Sequence, residues 1–547
     1  MDFISIAQLF GLIGSGFLAV QTTLFFGHIG LAGWLPQILA IFTLALNIPL
    51  SHAADYWGRK WIIVICSLGG TVGPLVIARA NNVATLIAGQ CIFGIAFGCQ
   101  SSFYAIISEV LPRKYRSAGQ ASINFATAVG SILAMLTAGL LMRGGKLENY
   151  RIFWYIACGI YTAGNLGIFF GYRPPPRELQ STMNDWEKLK SLDWIGLVIV
   201  AVGLTLFCIG LTWSSNPYGW DDAHVTAPFV VSIVLLICFG IYEWRGTGER
   251  LINRTLFKDR NFAIALFAMF MEGLSFFTTN SYLVREITLL YDSDTLIAST
   301  PFMIVFIVTI FMSPVVGIYT TVAKSLRNSL VIGFVSITLY NALMATLTPS
   351  SPKGCAWGYP VFAGIGLSTV VINSMVAAQM SSPPELLSIT SGFVISARGI
   401  GGAVGMAINN AIFSSALEKN LGNKVAAALA PFDFPLDKIG AVIEAFESQS
   451  QQLVAQVLEG NTEMIGVAFT AYKNAYSIAF RNTWITAASF SCIGIFISAF
   501  FRDDKSRFDD HIDAAVQEDI VRHQAEKEDI QPTMVHRENL QDLEKTA

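Results

Sequence analysis

The sequence predicts an all-α polytopic membrane protein, with two six-helix halves plus two extra linking helices making 14 spans. Composition is the first reason: of 547 residues 53% are hydrophobic and 13% charged, and mean hydropathy is +0.54. A soluble domain carries about 25% charged residues, so this chain has about half the charge needed to solvate a globular surface. The second reason is that apolar stretches of spanning length recur from residue 5 to residue 502. The third is a repeat at an offset near 270. This balance excludes a soluble enzyme, and a net charge of −3 without a basic aromatic cluster excludes a nucleic-acid partner.

Crossing about 30 Å of hydrocarbon takes roughly 20 apolar residues in a helix. The expected spans are 5–27, 33–51, 61–80, 84–107, 118–142, 152–172, 193–213, 226–244, 262–283, 297–319, 329–347, 357–380, 388–416 and 484–502. The organisation read from them is a first half over 1–172, a linker with the extra helices over 173–260, a second half over 261–502 and an acidic tail over 503–547. The first stretch has Asp2 and no base ahead of it, unlike a signal peptide, and reads as a retained span. Seven of the eight cysteines lie in apolar stretches as small hydrophobes, with no disulfide or metal spacing.

Orientation follows from the links, because short cytoplasmic loops keep Lys and Arg. One set of links carries 16 bases, among them Arg59, Lys60, Arg113, Lys114, Arg116, Lys324 and Arg327, against 6 on the opposite set. Both termini are therefore expected in the cytoplasm. Residues 417–482 form a long outer connection, in which Ile439, Val442, Ile443, Phe446, Leu453, Val454, Val457 and Leu458 fall at mostly helical spacing. An amphipathic helix on the outer face is the expectation there. After Phe501 the chain carries 13 acids and 7 bases without an apolar run, which predicts a disordered cytoplasmic tail.

Residues 94–119 (GIAFGCQSSFYAIISEVLPRKYRSAG) echo 364–392 (GIGLSTVVINSMVAAQMSSPPELLSITSG). Each is a Gly-rich span start with a polar residue, Glu109 or Gln379, at its inner end and then a Pro-containing turn. Two helical halves of like design place a transport site between them near the midplane.

The loop after the second span reads SHAADYWGRK (51–60). An acid four residues before an Arg-Lys pair at a helix end can bond to a neighbouring helix, and Gly58 lets the loop turn tightly. Such a cluster can latch one side of a transporter in one state and release it in the other. Asp55, Gly58, Arg59 and Lys60 are thus gating candidates, with Glu109, Arg113 and Arg116 in the matching loop two spans on.

This stretch resembles the D-x-x-G-R-[KR] signature of the major facilitator superfamily, in its fourteen-helix drug-transporter branch. The closer resemblance is to the fungal trichothecene efflux pumps and related siderophore-iron transporters. It rests on ADYWGRKW (54–61), SEVLPRKYRSAG (108–119), LDWIGLVIVAVGLTLFCIGLTW (192–213), LFKDRNF (256–262), AAQMSSPPELLSITSGFVISARGIGGAVGMAI (377–408) and AYKNAYSIAFRNTW (471–484). The resemblance implies a major facilitator fold and transport of a small molecule. This chain departs from the pattern at Ser51, where the family loop opens with Gly, and at Gln90, where many proton-coupled members carry Arg.

Well inside the predicted spans, away from their ends, stand one acid, Glu272, and one base, Arg398. A charge at helix centre costs about 2.5–3.5 kcal/mol on insertion scales, so such residues face a cavity or a partner. Glu272 is expected at the central cavity as a proton or substrate group, or as a protonated acid bonded between helices. Arg398 is expected either at the substrate or paired with backbone carbonyls or Glu385, its G-x-G-G-x-x-G surroundings permitting close helix contact. Gln90, Asn124, Asn373 and Gln379, with further uncharged polar residues and aromatics, complete the candidate cavity for a neutral, bulky, moderately polar solute.

The expected function is a secondary active transporter that exports a hydrophobic or amphipathic small molecule such as a toxin, secondary metabolite or drug, coupled to protons by alternating access. Uptake of ferric siderophores and a non-transporting membrane sensor are the alternatives. There is no Walker loop, and the six histidines lie at span ends or in loops, so neither direct ATP drive nor a membrane enzyme is expected. No cofactor and no metal are expected. The expected partners are solute, protons and the bilayer around a monomer, in the plasma membrane or alternatively in a vacuolar or vesicle membrane.

Overall fold

The computed structural model describes the chain except residues 29–30, 33, 144–145, 175–183, 185, 187, 189–192, 214–219, 246–254, 292–294, 433, 436–437, 448–450, 459–460 and 514–547. Among the described residues 13 helices are long and apolar enough to cross a membrane, or 14 with the bent pair Asp2–Phe17 and Ala19–Phe25 taken as span 1. Helices are what such a sequence forms, since in hydrocarbon every backbone polar group must bond within its own segment. Span 1 turns by 59° at Leu18, just after Gly14, Ser15 and Gly16, and small-residue runs of this kind are where helices kink.

Spans 2 to 6 are Trp34–Trp57, Arg59–Ala78, Val83–Ile95 carried through a 3₁₀ turn into Gln100–Val110, Arg116–Met142 and Tyr150–Gly171. Spans 7 and 8 are Trp194–Trp213 and Ala223–Arg245; spans 9 to 14 are Arg260–Leu290, Thr295–Ala323, Leu326–Met344, Pro360–Met380, Leu387–Leu429 and Thr462–Ala499.

The two sets of six pack alike. Span 1 lies on spans 5 and 6, and span 9 lies on spans 13 and 14. Between the sets, span 5 packs on span 10, while span 13 packs on span 2 and on the second part of span 4. Spans 7 and 8 pair with each other, and span 7 leans on span 2. Burial follows this layout: 83% of the apolar window of span 12 is buried but only 17% of that of span 8. Span 12 is therefore a central element, and span 8 faces the surroundings with Val230, Val234, Ile237 and Ile241 exposed.

Three sequence expectations need correction. The outer connection is shorter than 417–482, because span 13 continues as helix to Leu429 and span 14 already begins at Thr462. At 1.5 Å per residue these helices are about 65 and 57 Å long, roughly twice the hydrocarbon thickness. The amphipathic segment is two short helices, Ile439–Glu447 and Gln451–Val457. The first packs on span 13 with Val442 and Phe446 buried, and Phe446 sits against Phe469 and Tyr472 of span 14.

Second, span 9 runs past 283 to Leu290 and so contains Glu286 as well as Glu272. Third, the tail does not lose structure at Phe501. Residues 502–513 lie packed against the base-rich end, with Phe501 and Phe508 buried. The remainder of the expected disordered tail lies outside the described residues.

Candidate transport site and gate

A buried charge cluster forms where the sequence places its charged loop. Gly58 has φ +84° and ψ +140° and joins span 2 directly to span 3, a backbone conformation open to glycine and strained for other residues. This turn puts Arg59 one helical step beyond Asp55, at 3.6 Å between guanidinium nitrogen and carboxylate oxygen. A second guanidinium nitrogen donates to Glu109 at the end of span 4. All three are buried, Arg59 at 3% exposure. Lys60 points elsewhere, with its ammonium 5.8 Å from the Phe169 ring centre on span 6.

Next to this triad the two halves are joined by uncharged groups. Ser108 donates to the Gln379 side-chain oxygen at 2.6 Å. The Gln120 amide donates to Ser108 and Gln379, and the Gln379 amide donates to the Tyr104 carbonyl and to Ser391. Gln379 and Glu109 are the paired positions of the repeat, and both lie at this end of the interface. Arg116 donates to the Ser108 carbonyl at 3.0 Å and reaches the Gln379 carbonyl at 3.5 Å. Arg116 and Arg113 also meet Asp513 of the tail, a partner that span-by-span reading misses. Five acids of 503–513 beside a base-rich set of loops are the charge signal that points to it.

The two charges expected well inside the spans, Glu272 and Arg398, meet each other. Arg398 Nε donates to Glu272 Oε2 at 2.7 Å and its Nη2 to Oε1 at 2.9 Å, a two-pronged ion pair. Arg398 therefore takes Glu272 rather than backbone carbonyls, and the Glu385 side chain lies outside the described residues. Glycines bring the two helices this close: a Cβ on Gly273 would collide with the Arg398 carbonyl oxygen, and one on Gly401 with that of Phe270. The guanidinium also lies over Phe276, 4.6 Å from the ring centre, a cation–π contact. Glu272 is 1% and Arg398 20% exposed at the side chain.

Beside the pair is a cavity of about 20 Å³ lined by Glu272, Ser275, Phe276, Thr279, Tyr340 and Leu367 among others. That volume holds one water, and the cavity lies within the second half, between spans 9, 10, 11 and 12. A larger cavity, about 700 Å³, lies within the first half between spans 1, 4, 5 and 6, with Ser122 and Tyr172 as polar side chains on mostly apolar walls.

The other cavity candidates are not gathered around Glu272. Gln90 donates to Ser15 inside the first half, and Asn124 bridges the halves to Ser313. Asn373 accepts from Thr320 inside the second half. Glu286, beyond the expected end of span 9, is buried and accepts from the Trp484 indole at 2.7 Å. No group of three or more His, Cys, Asp or Glu able to hold a metal occurs among the described residues.

Comparison with known proteins agrees with this architecture. Residues 38–534 match the family model described as fungal trichothecene efflux pump. The chain is 23% identical over 480 residues to the trichothecene efflux pump TRI12 of Fusarium sporotrichioides, covering 85% of this chain and 78% of the relative. It is 23% identical over 470 residues to the MFS-type efflux pump MFS1 of Arthroderma benhamiae, covering 85% and 82%. Among solved structures, the human organic anion transporter MFSD10 superposes with a TM-score of 0.54 at 13% identity, over 91% of this chain and 98% of the other. The proton:xylose symporter XylE gives 0.53 at 13% identity, over 92% and 96%. At such identity the superpositions speak for the fold alone, while the family match covers nearly the whole sequence: the chain is a multi-pass membrane transporter of the major facilitator superfamily and belongs to its fungal trichothecene efflux pump family.

Proposed function

We propose that the protein exports a hydrophobic or amphipathic small molecule by alternating access, in exchange for protons taken up at Glu272. The observation that carries this reading is the Glu272–Arg398 pair, buried between spans 9 and 13 beside a cavity. A buried ion pair stays favourable only while both charges persist. Protonating Glu272 leaves the Arg398 guanidinium without its counter-charge, so the contact between spans 9 and 13 weakens at that moment. Binding and loss of one proton thus change how these helices pack, which is the coupling an exchanger needs.

The base-rich end is the cytoplasmic end by the positive-inside rule, and it is closed by Asp55–Arg59–Glu109 and by the Ser108–Gln120–Gln379 cluster. A solute released on the far side, followed by proton uptake at Glu272, resets the carrier; return of the proton to the cytoplasmic side readies it for the next solute. The paired charges cancel, and Phe276, Tyr340 and Leu367 supply apolar wall, which suits a neutral solute with a few hydrogen-bonding groups. Relatives named as efflux pumps favour export.

The test is transport by purified protein in liposomes carrying an imposed pH gradient, with a lipophilic fluorescent dye as solute. Uphill dye movement that a protonophore abolishes supports the reading. Absence of dye movement across a panel of hydrophobic solutes, in protein that is folded by its thermal transition, overturns it in favour of a sensor.

A further inference from the structure

The cradle formed by Arg113, Lys114 and Arg116 is occupied by the chain's own segment 502–513, and the two are complementary in backbone and in charge. The amides of Arg113 and Lys114 donate to the carbonyls of His511 and Asp509, each at 3.0 Å. Asp513 meets Arg113 at 2.9 Å and also pairs with Arg116. Asp510 pairs with Lys114, and Asp509 lies 3.7 Å from Arg113. The Arg116 and Asp513 side chains are each 1% exposed, so this pair escapes the solvent screening that makes surface ion pairs weak.

The start of the same segment is fastened to the other half. Asn261 at the head of span 9 exchanges two hydrogen bonds with the Arg502 backbone. The Asp503 carboxylate accepts from the Ser325 hydroxyl and from the amides of Leu326 and Arg327, capping span 11. Lys324 reaches the Phe508 carbonyl, and Arg507 binds the Met380 carbonyl at the end of span 12 and the Asp259 carboxylate. Asp504, held below its usual carboxylate range by the hydroxyl and amide of Ser506, shapes the turn between these attachments.

We propose that the Arg113–Lys114–Arg116 cradle is a docking site for an acidic peptide, that its occupant is residues 503–513, and that this strap brakes the opening of the base-rich end. The segment leaves span 14, is tied to spans 9, 11 and 12, and ends on the loop before span 5. Separating the halves at this end requires Asp513 to leave Arg116 or the attachments of the strap to spans 9, 11 and 12 to break. Arg116 also touches Ser108 and Gln379, so the strap bears on the hydrogen bonds that close the interface. The inference rests on the proposed transport cycle only in taking opening of this end as one of its steps.

Hydrogen–deuterium exchange on purified full-length protein tests it without requiring transport. Asp513→Asn keeps size and loses charge. A chain ending at Arg502 removes the strap, and a synthetic peptide of residues 503–513 added back supplies it in trans. Exchange over residues 108–120 and 379–391 is expected to rise roughly tenfold or more in both variants, the effect of losing one charge-assisted bond. The peptide, but not its scrambled form, is expected to reverse the rise in the shortened chain. Unchanged exchange over those residues in Asp513→Asn overturns the proposal, and so does a peptide that leaves the shortened chain's exchange raised.

Discussion

Single residues set the two decisive geometries. Gly58 is held at a positive φ between spans 2 and 3, so Gly58→Ala is expected to cost about 1–3 kcal/mol of stability. Gly159, with open space around its would-be Cβ, is the control: Gly159→Ala is expected to be neutral or stabilising by up to about 1 kcal/mol from helix propensity. Thermal unfolding in detergent compares them, and equal transitions would remove the strain argument. At the second site, Arg398→Met leaves Glu272 buried without a counter-charge. It is expected to destabilise by about 3–5 kcal/mol, and Glu272→Gln added to it is expected to recover most of that loss. Additive losses in the double variant would mean that the two residues do not act as a pair.

Helices carry these residues into place by close contact, and their pattern was legible in the sequence only in part. The G-x-G-G-x-x-G run of span 13 reads correctly as a close-packing face: Gly401 and Gly405 meet the backbone of span 9 at Phe270 and Leu274. Gly401→Ala is expected to push the helices apart and abolish transport while Gly422→Ala, in the open part of the same helix, leaves it intact. Transport retained by Gly401→Ala would sink that account.

The ends of spans 13 and 14 were not legible by hydropathy, which measures immersion in lipid rather than helix. Their sign was periodicity: Leu421, Val425 and Leu429 are buried at every fourth residue, and Ala468, Tyr472, Ala475, Ala479 and Trp484 recur similarly. Glu286 was missed for the same reason, since it lies just past an apolar window that ends at 283. The partner of Arg398 was missed because residues 272 and 398 are far apart in sequence and only the packing of spans 9 and 13 joins them.

On the scale of the whole molecule, charge distribution fixes what the helices alone leave open. The bases cluster at one end, and there the described tail docks, which local composition hid because acids without an apolar run read as disorder. If that end is cytoplasmic, a label on exposed Glu444 is expected to react from the outer or luminal side while a tag at residue 547 stays protected in intact cells. The reverse pattern would invert the gate.

The central claim is that Glu272 couples proton movement to solute movement, and Glu272→Gln tests it most directly in liposomes with a pH gradient. The account predicts that the variant no longer accumulates solute uphill, yet still exchanges it downhill at a measurable rate. Uphill accumulation by Glu272→Gln at the wild-type rate would contradict the account and leave the Glu272–Arg398 pair a structural tie between spans 9 and 13.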